Sequence, residues 1–518
     1  MSPSNNTVKS RYSTTDGDTS EVPDRLADTF SGKIVLITGG TGFLGKVLIE
    51  KLLRKCDNIE KIILVVRTKK DVEPLLRVEE MLNGPLFTKL LTARGRSYVL
   101  SKISVVAGDT SKSLVGLSET DRQTCRTANI IVHSAASVRF DEGLKKAVLL
   151  NTRGTKYMLE LAKECPNLEL FIHMSTAYCH PEEPVLDERP YPPPVDPHEI
   201  IHVLETTDDG TIDILTAKLL GVYPNTYAYS KALAESLVSD AMETMPVLLL
   251  RPSVVVPIYK EPLPGWTDNI NGPIGLMIGA GKGVIRTMYG DDTGHADFIP
   301  ADCVVNALML ATWDYLRNGC RHKVLNLTTS AELTYSWKEL LDIGREVMET
   351  RVPLDWVAWY PGGSMTRHRW LHRSRTLLFH WLPAIIVDSI LFCLGVKPVL
   401  IHVQKHIQKG MEVFEYYTNN QWDFRSDAVQ RLRTKMTPRE REAYKMDADD
   451  LDVHKYFEAA IICARRYILK EKDENLARAK RHLIIMKYLD LIVKIIFYGF
   501  LLYWLSLTLG PKLVTWLS

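Results

Sequence analysis

Tyr227 and Lys231 stand four residues apart, so on a helix they share one face. An unperturbed tyrosine has a pKa of about 10, too high to trade protons easily near neutrality. A nearby ammonium stabilises the phenolate and lowers that value. Such a pair is common by chance; its place on the first helix after a fifth apolar run favours the catalytic reading. Tyr229 competes for the role, but its spacing to Lys231 points it to another face. Ser175 and Thr176 end the fifth run, and a hydroxyl there can hold a substrate carbonyl oxygen and stabilise developing negative charge. Thr176 is the first choice and Ser175 the second; the plain alternative is a strand-end hydroxyl that caps the next turn.

The partner for a proton donor is legible in residues 38–45, Thr38-Gly39-Gly40-Thr41-Gly42-Phe43-Leu44-Gly45, between an apolar run and a helical pattern. Glycines at 40, 42 and 45 supply a tight turn, a bare backbone for a pyrophosphate and close helix–strand packing. The helix start then aims free N–H groups and a positive dipole end at the phosphates. With Tyr227 and Lys231 this reads as a nicotinamide-dependent enzyme, in which Lys231 also bonds the nicotinamide ribose. The second strand ends in Arg67-Thr-Lys69-Lys70, where an NAD site usually carries Asp or Glu. Arg67 and Lys70 complement a 2′-phosphate, so NADPH is the expected cofactor, against the bland reading of a solvated basic loop. Asp109 is placed to bond the adenine amino group. Ala135 and Ala136 are small where the backbone passes the cofactor, and Arg251-Pro252-Ser253 is expected to shape the nicotinamide pocket.

The elements that must position these residues follow. Strands are expected over Lys33–Thr38, Lys61–Arg67, Lys102–Ala107, Asn129–Ser134, Glu169–Met174 and Pro246–Arg251, with a last one over His322–Leu327. Their near-continuous Ile, Val and Leu suit a parallel sheet covered on both faces. Helices are expected at 43–55, 119–127, 142–165, 225–243 and 334–349. The alternation gives an α/β fold, a Rossmann-like doubly wound parallel sheet, followed after about residue 300 by a mostly helical C-terminal part. A proline-rich insertion, Pro181 to Pro197, reads as an active-site lid or a plain surface loop.

Composition narrows the class. The 518 residues carry 64 basic and 62 acidic side chains, so nothing global points to nucleic acid. Eight cysteines without C-x-x-C argue against zinc and against a disulfide scaffold, and the histidines show no metal-ligand spacing. No G-x-S-x-G is present. Residues 1–30 are polar and read as a disordered tail rather than a signal peptide. Ile495 to Leu509 are fifteen uncharged residues, and extending back to Leu489 gives about 20, enough for a bilayer if Lys494 snorkels and Asp490 sits at the interface. Arg478, Lys480, Arg481 and Lys487 precede the run and Lys512 follows it, which keeps the catalytic body cytosolic. The alternative is a buried C-terminal helix. A second apolar run, Leu377 to Leu394, is interrupted by His380, Pro383 and Asp388 and is not expected to span. It reads as a membrane-contacting hairpin or the wall of an apolar tunnel.

The motif set resembles an extended short-chain dehydrogenase in the glycine loop, Asn151-Thr-Arg-Gly154-Thr155 and His173-Met-Ser-Thr176-Ala-Tyr178. More narrowly, Ile37 to Gly45, Tyr227-Ala-Tyr-Ser-Lys-Ala-Leu-Ala-Glu235, Arg251-Pro-Ser-Val254 and Ala301-Asp-Cys-Val-Val-Asn306 resemble fatty acyl-CoA reductases. In the later half His380-Trp-Leu-Pro383-Ala384, Asn420-Gln-Trp422-Asp-Phe424 and Arg466-Tyr-Ile-Leu-Lys470-Glu471 are similar to that family's C-terminal "male sterility" domain. One stretch departs, Ile299-Pro300-Ala301-Asp302 standing where the family often shows Val-Pro-Val-Asp. The resemblance implies NADPH-dependent reduction of a long-chain acyl-CoA to a primary alcohol in two hydride steps, Tyr227 donating the proton each time. It implies a reductase domain over 31–330, an acyl-substrate domain over 331–475 and a membrane anchor over 484–509. Membrane lipid is the expected surroundings, that of the endoplasmic reticulum first, with peroxisome and lipid droplet as alternatives. The rival readings are a reductase that stops at aldehyde, a sterol-type dehydrogenase and an inactive binding scaffold.

Overall fold

The computed structural model describes residues 24–268, 270, 272–319 and 322–517. Seven strands form one sheet: β1 Ile34–Thr38, β2 Lys61–Val66, β3 Ile103–Ala107, β4 Ile130–His133, β5 Leu170–Met174, β6 Val247–Pro252 and β7 Val324–Leu327. Their order is β7-β6-β5-β4-β1-β2-β3 and every pairing is parallel. The order reverses beside β1, where Ile37 is flanked by Leu64 of β2 and Val132 of β4. The crevice outside the carboxyl ends of β1 and β4 is where such sheets take ligands.

The main helices are α1 Phe43–Lys55, α2 Leu144–Lys163, α3 Thr226–Ala241, α4 Pro273–Gly281, α5 Ala301–Asn318, α6 Trp337–Thr350, α7 Arg369–Cys393 (with a π turn at Leu377–Trp381), α8 Leu400–Asn419, α9 Val453–Cys463 and α10 Leu476–Leu517. Successive strand side chains point to opposite faces. Val35 and Ile37 therefore enter one core layer with Leu52 of α1 and Val304 and Leu308 of α5. Leu36 enters the other with Met158 of α2 and Val238 of α3.

The expected strands match within about two residues. Short helices were missed, among them Pro74–Leu82 and Pro197–Thr206, each with proline in its first turn. Proline fits that position because its absent N–H would be unpaired there anyway.

The polar tail expected over 1–30 is corrected at its end. Asp24 caps a helical turn, Arg25–Asp28; Leu26 and Phe30 are buried, and Arg25 pairs with Glu440 at 2.6 Å. The insertion from Pro181 is neither a free lid nor a loose loop. Val185–Leu186 pairs with Asp423–Phe424, and the Arg251 guanidinium donates to the carbonyls of Asp187 and Arg189 at 3.1 Å.

Packing crosses the boundary expected near 330 in both directions. Ala428, Val429, Leu432 and Tyr444 join the sheet core, while strand Thr287–Tyr289 pairs with Ser364–Thr366. Met277 of α4 packs with Val347 and Met348 of α6 and Ile461 of α9. The first turns of α10 dock through Ala479 and Leu483. Asp490 is held by the body rather than by an interface, accepting from Trp359 Nε1 at 2.6 Å and pairing with Arg286 at 3.3 Å and Lys494 at 2.5 Å. Beyond it, successive residues of α10 from Leu491 to Leu502 are exposed on every face.

Candidate active site

The glycine loop is shaped for a phosphate group. Gly39 has φ +75°, and a Cβ there would lie 2.8 Å from the Ala135 nitrogen. A Cβ on Gly45 would lie 2.3 Å from the Gly39 carbonyl oxygen, so α1 and the loop can approach this closely only with glycine. Gly42 N–H donates to that same carbonyl at 2.9 Å, and α1 starts with no side-chain cap. Its first N–H groups are left for a ligand. Phe43 packs on Trp266 and Leu44 on the core, so these two offer backbone only. Thr38 Oγ1 is engaged with His133 Nδ1 at 2.8 Å and accepts from Ala135 N–H at 3.2 Å, which ties the loop to the end of β4.

Arg67 and Lys70 are exposed at the end of β2. Sequence reading missed their neighbour Arg77, on the helix Pro74–Leu82 that was not foreseen. It donates to the Arg67 carbonyl at 2.5 Å and to Thr41 Oγ1 at 3.0 Å. Burial and the Arg67 charge push its pKa down. Asp109 Oδ1 accepts from Ser111 N–H and Oγ at 3.0 and 2.8 Å. Pro252 is buried, and its carbonyl accepts from Ala177 N–H at 2.9 Å; Ala136 lies half-buried beside Ala135.

The catalytic candidates lie just beyond β5 and on α3, and Lys231 links the two elements. Asn225 caps α3 by accepting from Ala228 N–H, and Asn151 and Thr152 of α2 fasten it through Ser230 Oγ (2.9 Å) and the Ser230 carbonyl (2.8 Å). Tyr227 packs edge-on to Phe140 at 5.5 Å. Lys231 donates to the Met174 carbonyl at 2.7 Å, immediately before Ser175. Ser175 Oγ is buried with no hydrogen-bond partner among the described residues. Thr176 Oγ1 accepts from Tyr178 N–H at 3.3 Å, so its own proton stays available. Tyr229 is fully buried against Tyr223, away from this group.

The charge relation differs from the one expected from spacing. Burial pushes the Tyr227 hydroxyl above its ordinary value, while desolvation lowers Lys231 to about 8, partly offset by Glu235. A protonated tyrosine is the form that gives a proton to a developing alkoxide. The lysine loses its charge as pH rises through about 8, so kcat/KM for reduction is expected to fall on that alkaline limb. A profile flat to pH 10 would show that the ammonium is not required.

Arg251 was expected to shape the nicotinamide pocket; its side chain is instead fully buried on Glu235 at 2.6 Å. Glu235 also receives Cys179 Sγ–H at 3.1 Å and faces His180 Nε2 at 3.2 Å. Cys179, His180 and Glu235 lie close enough to ligate a metal. However, Arg251 already neutralises the carboxylate, and burial keeps the Cys179 thiol protonated. The cluster reads as a hydrogen-bonded support beneath Lys231.

An apolar cavity of about 200 Å³ opens between α4, α6 and α9, lined by Val256, Met277, Phe298, Leu341, Met348 and Phe457. Ala296 lines it too, and between Ala296 and Phe298 the Asp297 N–H donates at 3.3 Å to the hydroxyl of Tyr178, two residues beyond Thr176.

Family models described as male sterility protein match residues 37–308 and 379–471. Human fatty acyl-CoA reductase 1 is 38% identical over 462 residues, covering 88% of this chain and 89% of its own. The fatty acyl-CoA reductase wat of Drosophila melanogaster is 34% identical over 472 residues, covering 91% and 90%. Among solved structures, the terminal R domain of the myxalamid pathway superposes with TM-score 0.55 at 19% identity, covering 87% of this chain and 92% of that one. A reductase domain of a Mycobacterium tuberculosis non-ribosomal peptide synthetase gives 0.55 at 19%, covering 86% and 96%. These likenesses show the Rossmann-like fold, and the two-part match along the chain shows the family. The chain belongs to the fatty acyl-CoA reductases.

Proposed function

We propose that this protein reduces a long-chain acyl-CoA to a primary alcohol with NADPH, releasing CoA through a bound aldehyde. The observation that carries the reading is the apolar cavity, whose lining strand residue Phe298 adjoins Asp297, the partner of Tyr178 two residues beyond Thr176; an alkyl chain held there would bring its thioester carbonyl toward the proton donor. When bound, the nicotinamide cofactor supplies the hydride in each of the two reductions. The Thr176 or Ser175 hydroxyl donates to the carbonyl oxygen and stabilises the charge that develops on it. Tyr227 gives that oxygen its proton, and the Lys231 ammonium supports the phenolate that results. Collapse of the hemithioacetal re-forms the carbonyl, breaks the C–S bond and releases CoA thiol. The aldehyde stays at the same hydroxyls, and Tyr227, reprotonated from solvent, donates again to give the alcohol.

Arg67, Lys70 and Arg77 beside Thr41 support the preference for NADPH over NADH. Charge-assisted hydrogen bonds to an anion contribute about 1.5–3 kcal/mol each. Arg77→Ala is therefore expected to raise the KM for NADPH about tenfold or more and to leave NADH kinetics nearly unchanged. Equal losses with both cofactors would place Arg77 in the support of the loop only.

The apolar, exposed surface of α10 beyond Asp490 supports a membrane anchor, with the basic residues of its first turns holding the catalytic body on the cytosolic side. The endoplasmic reticulum is the membrane we infer. The deciding assay uses the full chain in detergent with palmitoyl-CoA and NADPH, following cofactor oxidation, free thiol and extracted lipid together. Two NADPH per CoA with alcohol as product is the expected result. One NADPH per CoA with aldehyde accumulating would overturn the end point. No turnover at any chain length would overturn the substrate.

A further inference from the structure

Among the described residues, α7 is the helix whose length and composition suit a membrane crossing. Its packing is that of a hairpin arm. The returning helix α8 lies antiparallel along it: Trp381 Nε1 donates to Gln408 Oε1 at 3.1 Å, and Arg369 at the start of α7 pairs with Glu415 near the end of α8. Thr418 then donates to the Tyr289 carbonyl, so both ends of the hairpin return to the same side of the body. α8 carries Lys405, His406, Lys409 and Glu412 and has no sequence fit for hydrocarbon.

The face that α7 turns outward is nonetheless apolar. Leu378, Leu382, Ile386, Ile390, Phe392 and Leu394 are each 45–73% exposed. The polar residues that interrupt its sequence point inward. His380 is buried and accepts from Arg286 N–H at 2.9 Å. Asp388 is buried and accepts from the N–H groups of Val399, Leu400 and Ile401 at 3.1, 3.0 and 2.8 Å. The start of α8 is thus satisfied from within the protein, as a hydrocarbon surrounding requires and water does not. Exposed Arg369 and Arg373 and half-buried Arg375 stand at one end of the apolar face and exposed Lys397 at the other, at reach of phosphate headgroups.

This face is continuous with the C-terminal helix. The Arg286 guanidinium lies 5.6 Å over the Phe379 ring of α7 and pairs with Asp490 of α10, at the residue beyond which α10 is exposed all round. We propose that α7 lies in the plane of the bilayer from which α10 emerges, its apolar face sunk to the headgroup–acyl boundary of one leaflet. The occupant of this surface is phospholipid.

Cys393, exposed at the end of α7, gives the test a native handle, the other described cysteines being buried. The full chain carrying Cys320→Ser is labelled at Cys393 with a polarity-sensitive fluorophore and reconstituted into phosphatidylcholine vesicles. Nitroxide lipids place a quencher either near the headgroup or at the chain end, and iodide probes the water phase. Shallow nitroxide is expected to quench at least about twofold more than deep nitroxide, with iodide excluded. Stronger quenching by the deep nitroxide would show this end sunk in the bilayer centre, and quenching by shallow nitroxide placed only in the leaflet opposite the catalytic domain would show a crossing helix; either overturns the proposal. Free access of iodide would show a hairpin in water, and shielding from all three would show a protein partner; either result overturns it too.

Discussion

Replacing Tyr227 by phenylalanine is expected to lower kcat by about 10²- to 10⁴-fold while cofactor affinity changes little. The substitution removes one oxygen. The ring keeps its edge-on packing against Phe140, and α3 keeps its cap at Asn225 and its bonds from Asn151 and Thr152 to Ser230. Lys231 is already engaged with the Met174 carbonyl and does not depend on the tyrosine for its place. What is lost is the proton for the substrate oxygen, since Ser175 and Thr176 are alcohols too weak in acidity to replace it. The companion variant is Tyr229→Phe, whose hydroxyl is buried without a partner among the described residues. Its activity is expected to stay within about twofold, because no hydrogen bond is broken. Single-turnover reduction of palmitoyl-CoA, with cofactor titration by protein fluorescence, separates chemistry from binding. A Tyr227→Phe enzyme within tenfold of the parent would remove the tyrosine from the mechanism.

The sheet was legible because parallel strands buried on both faces must be nearly continuous in Ile, Val and Leu, as Ile62 to Val66 and Ile130 to Val132 are. The glycine loop was legible because its spacing is imposed by distances a Cβ would violate, as at Gly45. Arg77 was not, since nothing in the spacing of a nine-residue helix tells that its arginine turns back to Thr41 of the glycine loop. Arg251 was misplaced because position along a strand says where a side chain starts and not which buried acid it meets. In α7, Asp388 interrupts an apolar run in sequence. Only the return of α8 shows that its carboxylate caps the next helix and leaves the outer face unbroken.

Glu235 carries the largest expected effect on stability. Its carboxylate is buried with Arg251 at 2.6 Å and with His180 and Cys179 around it, four residues beyond Lys231 on α3. Burial alone would push its pKa up. The Arg251 charge and the hydrogen bonds from Arg251 and His180 outweigh that and hold it well below the usual carboxylate range. Removing one partner of a buried pair leaves the other charge uncompensated, at a cost of about 3–5 kcal/mol. Glu235→Gln strands Arg251 in this way and also loosens the insertion that Arg251 holds at Asp187 and Arg189. A depressed carboxylate gives stability that is present above its unfolded pKa of about 4.3 and lost as pH falls toward the folded value. The parent is therefore expected to lose stability below about pH 4.5, and Glu235→Gln to show less of that acid dependence. Glu235 also raises the pKa of Lys231, so the alkaline limb of kcat/KM should move to lower pH in the variant. Replacing both partners, as Glu235→Leu with Arg251→Met, is expected to cost less than either single change, because neither member of the pair is then left buried without the other. Urea unfolding in detergent gives the first comparison and the pH profile the second. A Glu235→Gln protein less than about 1 kcal/mol weaker, with an unmoved alkaline limb, would show that neither Arg251 nor Lys231 depends on this acid.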